Sequence, residues 1–333
     1  MFFEKKKILI TGGTGTIGKS IVNYLIKENP DIIKIFSRDE YKQQQLQKET
    51  GNQETLRFII GDIRDYESLE AAMHDIDYVF HLAAMKRVES CEYNPYEAIK
   101  TNVYGTNNVI KAARAQKVKK VIFTSSDKAI SPTNTYGATK MIGERLISVV
   151  EYSKKEGQTI FSSVRFGNVM GSRGSVIPLF KERIFKEKKI EVTDRGMTRF
   201  MMTLDQATEL TIKALKEAMG GEVFVLKMPV VNLGDLADIL VEETCKIHQL
   251  QKSDIEIEIM GLRPGEKMYE ELMTYDESTS AWELPSMYII PGFSGKVTNR
   301  NAKVASTGIY SSMSQQPIGM EELRSLLKAA KLI

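Results

Sequence analysis

The stretch Lys5-Lys-Lys-Ile-Leu-Ile-Thr-Gly-Gly-Thr-Gly-Thr-Ile-Gly18 decides the fold class of this 333-residue chain. It has the pattern of a short buried strand, a glycine-rich turn and the start of an amphipathic helix. Glycines at every third position allow a tight turn, let the backbone approach a pyrophosphate and leave phosphate at a helix N-terminus. The stretch therefore predicts a dinucleotide-binding loop, whose candidate residues are Gly12, Thr14, Gly15, Thr16, Ile17 and Gly18.

Strand and helix patterns alternate from residue 5 to about residue 170. The predicted strands are 5–11, 32–37, 56–60, 77–83, 119–126 and 160–166, and the predicted helices are 16–28, 67–75, 95–116 and 136–155. This alternation predicts an α/β fold with a doubly wound parallel sheet and nucleotide at the carboxyl ends of the strands. Residues 1–170 are expected to form the nucleotide-binding domain.

Residues 171–333 have a more mixed pattern. They predict a smaller mixed α/β lobe, mainly for substrate, with some segments returning to the first domain. Helices are expected at 176–188, 204–219 and 233–249, and strands at 190–193 and 255–260. Residues 274–318 are polar and turn-rich, and their pattern predicts no particular element.

The composition excludes several classes of protein. Hydrophobic residues make up 42% of the chain, enough for one large core and a second lobe. A net charge of +3 without a basic block argues against a nucleic-acid partner. Two cysteines, Cys91 and Cys245, and three scattered histidines indicate neither a disulfide framework nor a metal site. Because there is no signal-peptide pattern and no apolar run near 18 residues, we expect a cytoplasmic protein without membrane insertion.

A second stretch, Val121-Ile-Phe-Thr-Ser-Ser-Asp-Lys128, ends an apolar strand in hydroxyls, a carboxylate and an amine. Tyr136 and Lys140 follow at a spacing that puts both side chains on one face of a helix. There the ammonium can lower the pKa of the phenol, so that Tyr136 acts as a base near neutral pH. Tyr96 and Lys100 have the same spacing, but we interpret that match as chance because no such strand end precedes them.

The end of the second predicted strand distinguishes NADP from NAD. An acidic residue there would bind the ribose 2′-hydroxyl of NAD, whereas this chain has Ser37 and Arg38, with Lys42 close by. These side chains suit a 2′-phosphate through charge-assisted hydrogen bonds. We therefore predict NADP as the cofactor. The alternative is a solvated basic edge beside a free ribose.

The order of the glycine loop, Asp62-Ile63, His81-Leu-Ala-Ala84, Asn102 and the Tyr136/Lys140 pair resembles the extended short-chain dehydrogenase/reductases that act on nucleotide sugars. The chain is similar in particular to the C5-inverting UDP-N-acetylglucosamine 4,6-dehydratases of the polysaccharide biosynthesis family. The similar segments are Ala83-Ala-Met-Lys-Arg-Val88, Cys91-Glu-Tyr-Asn-Pro95, Lys100-Thr-Asn-Val-Tyr-Gly105, Ser126-Asp-Lys-Ala129, Arg165-Phe-Gly-Asn-Val169, Gly174-Ser-Val-Ile-Pro178 and Arg263-Pro-Gly-Glu-Lys267.

The Ser-Asp-Lys triplet is the specific part of this resemblance, since ordinary sugar-nucleotide dehydratases carry Thr-Asp-Glu there. The resemblance implies a Rossmann-type fold. It also implies cofactor contacts from Asp62, Ile63, Ala83, Ala84, Asn102, Tyr136 and Lys140.

The resemblance further implies a mechanism. Tyr136, helped by Ser126 and Lys140, would take the C4 hydroxyl proton while hydride passes to NADP. Lys128 would then remove the C5 proton while Asp127 protonates the departing C6 hydroxyl. Return of hydride to C6 and reprotonation of C5 from the opposite face would give a UDP-2-acetamido-2,6-dideoxy-4-hexulose for surface glycan biosynthesis.

One difficulty concerns Lys128, because the adjacent Asp127 should favour the charged amine, which is a poor base. Desolvation under bound substrate could reverse this, or the pair could titrate jointly. The structural alternative is an ion pair that only orders the loop.

The UDP moiety needs cationic and backbone contacts. Arg199 and Arg263 are the candidates for the diphosphate, although either arginine could instead join the two domains in a salt bridge. The remaining substrate candidates are Lys86 and Asn168 near the sugar, Val176, Ile177 and Phe180 as a wall for uracil and ribose, and Glu266 for the ribose.

Three alternative functions remain open at this point. The nearest are a UDP-sugar 4-epimerase and a dehydratase that releases the 5,6-ene or retains C5. A non-catalytic NADP-binding regulator belongs to a different class, and a regulator has no need of Asp127, Lys128, Tyr136 and Lys140 together.

The predicted helices 95–116 and 136–155 also indicate self-association. In related enzymes this pair of helices forms a four-helix contact between subunits. Here they carry more apolar positions than one buried face requires, namely Val103, Val109, Ile110, Met141, Leu146, Ile147 and Val150. We therefore expect a homo-oligomer, at least a dimer.

Overall fold

The computed structural model describes every residue of the chain except 52, 154–157, 264, 293, 294, 296, 298 and 300. Its strands are β1 Lys7–Thr11, β2 Ile32–Ser37, β3 Leu56–Ile60, β4 Tyr78–His81, β5 Lys120–Thr124, β6 Ile160–Arg165, β7 Asn168–Val169, β8 Lys189–Val192, β9 Thr198–Met202, β10 Val223–Leu226, β11 Val230–Asn232, β12 Glu256–Ile259, β13 Glu271–Met273, β14 Trp282–Glu283, β15 Met287–Ile290, β16 Lys303–Val304 and β17 Tyr310–Ser311.

The main sheet has the order β16-β14-β15-β10-β6-β5-β4-β1-β2-β3. Its neighbours from β3 to β10 pair in parallel, whereas β15, β14 and β16 continue the sheet antiparallel. The strand order reverses at β1, which lies between β2 and β4, and such a switch point opens a crevice at the carboxyl ends of the strands. The predicted doubly wound α/β fold is confirmed.

The helices are α1 Thr16–Ile26, α2 Glu40–Thr50, α3 Tyr66–Met73, α4 Val88–Tyr93, α5 Pro95–Ile99, α6 Gly105–Ala115, α7 Thr135–Val149, α8 Val176–Glu187, α9 Leu204–Glu217, α10 Leu233–His248, α11 Tyr275–Ser278 and α12 Met320–Ala329. Within the described residues, none of them is both long and apolar enough to cross a lipid bilayer. The same residues contain no group of three or more His, Cys, Asp or Glu placed to hold a metal ion.

Two helical predictions need correction. The helix expected at 95–116 is α5, a π-helical turn over Lys100–Tyr104, and α6. The helix expected at 136–155 is α7 followed by a 3₁₀ turn over Val150–Ser153, and residues 154 and 155 lie outside the described residues. The sequence pattern missed α2 because this helix buries Gln43 and Leu46 alone and so has almost no apolar stripe.

Strands predicted as 77–83 and 119–126 are shorter than expected. Strand β4 ends at His81 and β5 at Thr124, and the residues that follow leave the sheet to line the cleft described below. Backbone hydrogen bonds still join the Leu82 amide to the Thr11 carbonyl at 3.1 Å and the Ser125 amide to the Val164 carbonyl at 2.7 Å, one residue past each strand.

The second half of the chain divides between two places. One group of elements, α8, β8, α10, β12 and α12, packs around a separate apolar core that includes Ile184, Ile190, Leu236, Leu240 and Leu323. The other group returns to the main sheet, where β10 pairs with β6 and α9 packs on α1. The short strands β14, β15 and β16 lie in the stretch that the sequence could not assign, and they form the antiparallel edge of the main sheet. The domain boundary at residue 170 stays a prediction.

Candidate active site

A cleft of about 1500 Å³ opens at the carboxyl ends of the parallel strands, between the sheet and the second lobe. Predicted residues that line it comprise the five catalytic candidates Ser126, Asp127, Lys128, Tyr136 and Lys140, the cofactor candidates Gly12, Thr14, Gly15, Thr16, Ile17, Gly18, Ser37, Arg38, Asp62, Ile63, Ala83 and Ala84, and the substrate candidates Lys86, Asn168, Arg263 and Glu266. The fold therefore gathers residues from most of the chain into one cavity.

The glycine loop fits a pyrophosphate on its own geometry. Gly12 has a φ of +71°, and a Cβ there would lie 2.8 Å from the backbone nitrogen of Ala83. Gly15 is the N-cap of α1 and has no side chain to cap the first-turn amides, which border the cleft. Open N–H groups at a helix N-terminus favour an anion, so the cradle suits the phosphates of a dinucleotide.

Cations surround the place where the adenosine ribose of a dinucleotide would lie. The Arg38 guanidinium is largely exposed and lies 3.7 Å from a carboxylate oxygen of Asp62. Lys42 pairs with Asp39. The pKa of Asp39 is lowered by its hydrogen bond from Lys42 and further by the charge of Arg173, which the sequence analysis had not singled out. These three cations all line the cleft and fit a phosphate group at this end.

Helix α7 brings Tyr136 against the strand-end residues. Its N-cap, Asn134, accepts a hydrogen bond from the Gly137 amide at 2.8 Å. A Cβ at Gly137 would collide with the carbonyl oxygen of Lys128, so only glycine permits this close approach of helix and loop. Tyr136 is consequently buried beside Ser126, Asp127 and Lys128.

Lys140 lies one helical turn further, and among the residues that the structure describes it forms no ion pair with a carboxylate. Its Nζ donates a 2.7 Å hydrogen bond to the Thr124 carbonyl and lies 4.5 Å from the centre of the Phe123 ring. Burial lowers the pKa of Lys140 to about 7, and the charge of Glu144 opposes this shift only in part. The amine therefore titrates near neutral pH.

The pKa of Tyr136 departs from the sequence-based expectation. Burial raises it to about 12, while the Ser126 hydroxyl and the charge of Lys128 act in the opposite direction. The expectation that Lys140 lowers this pKa was wrong for the resting protein. The cation that does so is Lys128, and burial of the phenol outweighs it.

Asp127 and Lys128 form a 3₁₀ turn directly after β5, and their side chains pair. The Lys128 Nζ lies 3.2 and 3.3 Å from the two carboxylate oxygens of Asp127, and Ser126 donates a 2.7 Å hydrogen bond to the same carboxylate. A second carboxylate, that of Glu270, lies 3.3 Å from the Lys128 Nζ. Burial alone would lower the pKa of Lys128, but the two carboxylates together raise it above its usual range.

The turn Arg263–Lys267 docks on the loop that joins the catalytic residues. The carbonyl oxygen of Gly265 accepts hydrogen bonds from Thr133 at 3.0 Å and Asn134 at 3.1 Å. The Lys267 Nζ donates to the Ile130 carbonyl at 3.1 Å. The turn thus fixes the segment between Lys128 and Tyr136 from the side of the second lobe. Pro264, within the turn, lies outside the described residues.

Four substrate candidates line the cleft and already have partners in the protein. The Lys86 Nζ donates to the Arg173 carbonyl at 3.2 Å, and Asn168 donates to the Phe200 carbonyl at 3.3 Å. Glu266 accepts from the Thr193 hydroxyl at 3.3 Å and from the Arg263 amide at 3.2 Å. The Arg263 guanidinium lies 3.7 Å from Glu191 and is largely exposed, so it remains accessible to an anionic ligand.

Five predicted residues do not line the cleft, and they are Asn102, Val176, Ile177, Phe180 and Arg199. Asn102 is buried and bonds to both backbone groups of Met85, which shapes the loop after β4. The three residues of α8 pack in or against the core of the second lobe, whereas Leu179 of the same helix faces the cleft. For Ile177 helical periodicity explains the difference from Leu179, because residues two apart lie on opposite sides of a helix.

The Arg199 guanidinium is occupied within the second lobe. It donates to the carbonyl oxygens of Thr198 at 2.8 Å, Met268 at 3.2 Å and Lys267 at 2.7 Å. Its Nε lies 3.7 Å from Glu270. All of these partners lie within residues 171–333, so the contacts are not a salt bridge between the two domains, and the diphosphate role of Arg199 stays a prediction.

Tyr96 and Lys100, the second pair with the catalytic spacing, do not line the cleft. Tyr96 is exposed, and the Lys100 Nζ lies 4.3 Å above its ring. The interpretation of this spacing as chance agrees with its surface position.

Comparison with known proteins gives the family. A family model described as "Polysaccharide biosynthesis protein" matches residues 8–292. The chain belongs to the polysaccharide biosynthesis protein family. The resemblance drawn from the sequence motifs is thereby confirmed at the level of the family.

Relatives within this family carry different names. The chain is 44% identical to the "Uncharacterized membrane protein MJ1061" of Methanocaldococcus jannaschii, over 98% of this chain and 96% of the relative. It is 39% identical to a "UDP-glucose 4-epimerase" of Rickettsia felis, over the same shares of the two chains. Among solved structures, it is similar to Pen from Bacillus thuringiensis, with 58% identity, a TM-score of 0.95 and full coverage of both chains.

For this member of the polysaccharide biosynthesis protein family, the sequence analysis missed Glu270 and Arg173. Both residues lie in irregular segments, where no helical or strand period indicates which way a side chain points. The only available signal for Glu270 was its position three residues after the Arg263–Lys267 motif.

Proposed function

We propose that this protein is an NADP-dependent UDP-N-acetylglucosamine 4,6-dehydratase that inverts C5. The observation that carries the proposal is the Asp127–Lys128 ion pair beside the buried Tyr136 in one cleft. Exchange of the configuration at C4 needs one proton-transfer group for the C4 hydroxyl. Elimination across C5 and C6 needs a further base and a further acid, and this pair supplies both types of group.

Tyr136 is the proposed base for the C4 hydroxyl. Bound NADP would accept hydride from C4 and later return it to C6. Ser126 and Lys128 stabilise the phenolate form of Tyr136, since both oppose the rise in its pKa that burial causes. Lys140, fixed on the Thr124 carbonyl, lies one turn behind the phenol and is proposed to orient the cofactor ribose.

A single proton transfer would activate the Asp127–Lys128 pair. Moving one proton from the Lys128 Nζ to Asp127, across 3.2 Å, gives a neutral amine and a carboxylic acid. The amine is then the base for the C5 proton, and the acid protonates the departing C6 oxygen. Because the net charge of the pair stays zero, substrate that excludes water favours this neutral form over the ion pair.

The proposed UDP contacts follow the lining of the cleft. Arg263 is the candidate for the diphosphate, because its guanidinium is accessible and borders the cavity. Lys86 and Asn168 are the candidates beside the sugar, and Glu266 is the candidate for the ribose. Leu179 takes the place of Val176, Ile177 and Phe180 as the apolar wall.

The proposal is tested by incubating the purified protein with UDP-N-acetylglucosamine in deuterated water and reading the product by NMR. We expect a C6 methyl group, a C4 ketone, deuterium at C5 and inverted C5 configuration. Retained C5 configuration or vinylic C6 protons would assign the reaction to the corresponding alternative dehydratases. Bound NADP with no change in the sugar would indicate a regulator instead.

A 4-epimerase is the second candidate, because a relative that is 39% identical over 98% of the chain bears that name. The same NMR experiment separates the two functions. An epimerase would return the C4 epimer with its C6 hydroxymethyl group intact and without deuterium at C5.

A further inference from the structure

Glu270 lies in the second lobe and is 4% exposed. Its Oε1 lies 3.3 Å from the Lys128 Nζ and 3.7 Å from the Arg199 Nε. It does not line the cleft, so it reaches the site only through Lys128. Burial and the nearby charge of Asp127 raise the pKa of Glu270, while the cations Lys128 and Arg199 oppose this rise.

The backbone around Glu270 holds this carboxylate in place. The Glu270 amide donates to the Ser312 hydroxyl at 3.0 Å, and its carbonyl accepts from the Ser312 amide at 2.8 Å. The Ser312 hydroxyl also lies 3.0 Å from that of Thr198. Arg199 is anchored on three carbonyl oxygens and does not line the cleft, so it supplies a fixed cation beside Glu270.

The four charges form two opposite pairs. Asp127 and Lys128 come from the strand end, and Glu270 and Arg199 come from the second lobe. Tyr136 is the remaining titratable group that acts on Lys128, and it faces the amine from α7. Loss of Glu270 would leave Lys128 with one carboxylate and with an unopposed Arg199 nearby.

We propose that Glu270 is a positioning residue for Lys128, holding its Nζ from the second lobe and keeping it protonated until substrate enters. The consequence for turnover rests on the proposed dehydratase function. The effect on Lys128 itself does not, because it follows from the contacts of the resting protein. The protonation of the Lys128 amine thereby depends on the position of the second lobe, which carries Glu270.

The first test needs no substrate. NMR of protein carrying ¹³C-labelled lysine, with the Lys128 signal assigned through Lys128→Ala, follows deprotonation of this amine with pH. In Glu270→Gln we expect deprotonation to begin lower by about one pH unit or more, the effect of removing one close opposite charge. Glu270→Asp withdraws the carboxylate by one methylene, so it should give a smaller shift in the same direction and carries the test if the glutamine variant does not fold. Glu271→Gln, a change of the neighbouring acidic residue, should leave the Lys128 signal as in the wild type.

The second test measures formation of the C6 methyl product against pH. In Glu270→Gln the fall of this rate at high pH, where the Asp127–Lys128 pair loses its one proton, should begin lower by the same amount, with reduction of bound NADP retained. A residue that only stabilises the fold would lower both half-reactions equally and leave the pH profile in place. Unchanged Lys128 titration in both Glu270 variants would overturn the proposal. Failure of the wild type to dehydrate the sugar would overturn the proposed function and leave the NMR titration to decide the role of Glu270.

Discussion

The surroundings of Lys140 and Lys128 differ, and we call them the Lys140 end and the Lys128 end of the site. Lys140 is buried against a carbonyl oxygen and an aromatic ring. Lys128 is partly buried between Asp127 and Glu270. Burial lowers the pKa of Lys140 to about 7, whereas the two carboxylates raise that of Lys128 above its usual range. The lysine amine therefore titrates near neutral pH at Lys140 and holds its proton at Lys128.

This difference indicates a division of labour within the proposed reaction. The Lys140 end changes its charge with little cost near neutral pH and serves the oxidation at C4. The Lys128 end is held as an ion pair until a change in its surroundings moves the proton to Asp127. On the proposed mechanism, elimination would therefore begin only after this proton transfer.

Tyr136→Phe is the strongest test of this division, because Tyr136 contacts the Lys128 end and lies on the helix of Lys140. We expect dehydration to fall by ~10²-fold or more, since oxidation at C4 precedes elimination. Bound NADP should also fail to become reduced with substrate, which absorbance at 340 nm measures. Tyr96→Phe, at the exposed pair with the same spacing, is the matched control. Normal NADP reduction in Tyr136→Phe would transfer the role of base to another group.

Asp127→Asn and Lys128→Ala should separate the two half-reactions, oxidation at C4 and elimination. Elimination should fall by at least ~10²-fold, the loss typical of a missing general acid or base. Reduction of bound NADP should persist, because Tyr136, Ser126 and Lys140 remain. It should be slower in Lys128→Ala, because that variant lacks the charge that stabilises the phenolate of Tyr136. Loss of the C6 methyl product in NMR, with the 340 nm signal retained, is the expected combination. Normal turnover of Lys128→Ala would instead favour an ion pair that only orders the loop.

Lys140→Met tests the lowered pKa of Lys140 through the pH dependence of the free energy of unfolding. The folded pKa of Lys140 is about 7, below the value of 10.5 for a free lysine. Between these two values the unfolded chain binds more protons than the folded one, so wild-type stability rises with pH. The penalty for burying the charged amine is thus fully present below pH 7 and is gone above the unfolded pKa.

Methionine removes this penalty, so Lys140→Met should be more stable than the wild type below neutral pH, and the gain should shrink as pH rises toward 10.5. Urea denaturation across this range measures it, with Lys100→Met as the surface control. A gain that does not change with pH would contradict the lowered pKa of Lys140.

The predictability of the two ends differs for a physical reason. The Lys140 end rests on regular elements, so the spacing of Tyr136 and Lys140 on one helix predicted their shared position. The strand ends likewise placed Ser126 and Lys128 beside the cleft. In the same way, the alternation of apolar segments predicted the sheet from β1 to β6 within a few residues.

The Lys128 end is completed by residues that no local pattern reveals. Glu270 meets Lys128 across more than a hundred residues of sequence, from a segment without a helical or strand period. Strands β13 to β17 have two to four residues each, too short for a period to be recognised. Apart from the hairpin of β14 and β15, their pairings form with segments distant in sequence. Arg199 had the right charge for a diphosphate, but only the fold shows that backbone carbonyls already occupy it.

Cofactor preference is a smaller effect and rests on three cations that line the cleft. Arg38, Lys42 and Arg173 border the cleft where a 2′-phosphate would lie, so NADP should bind tenfold or more tightly than NAD, on the order of 1.4 kcal/mol. Calorimetric titration with each dinucleotide measures this ratio. Arg38→Ala should reduce NADP affinity selectively, and Arg57→Ala, on the surface of β3, is the control. Equal affinities in the wild type would contradict the prediction.

Self-association concerns the region of α6 and of α7, the helix that carries Lys140. Val109, Ile110, Ile147 and Val150, on which the expectation of a dimer partly rested, are buried in the chain's own core. Other apolar residues of the same region remain exposed, and these include Tyr104, Ile142 and Val149.

We still expect a dimer through α6 and α7, because Ile142 and Val149 lie seven residues apart on α7 and so on one exposed side of the helix that carries Tyr136 and Lys140. Light scattering at micromolar protein should give about twice the chain mass of 37.6 kDa. The double change Ile142→Glu with Val149→Glu should return the mass to that of one chain, since two buried carboxylates would face each other across a twofold contact. Ile247→Glu, at an exposed position of α10, should leave the dimer intact. A wild-type mass of one chain would contradict the dimer. The Lys140 end would then be formed by a single chain, as the Lys128 end is formed with the chain's own second lobe.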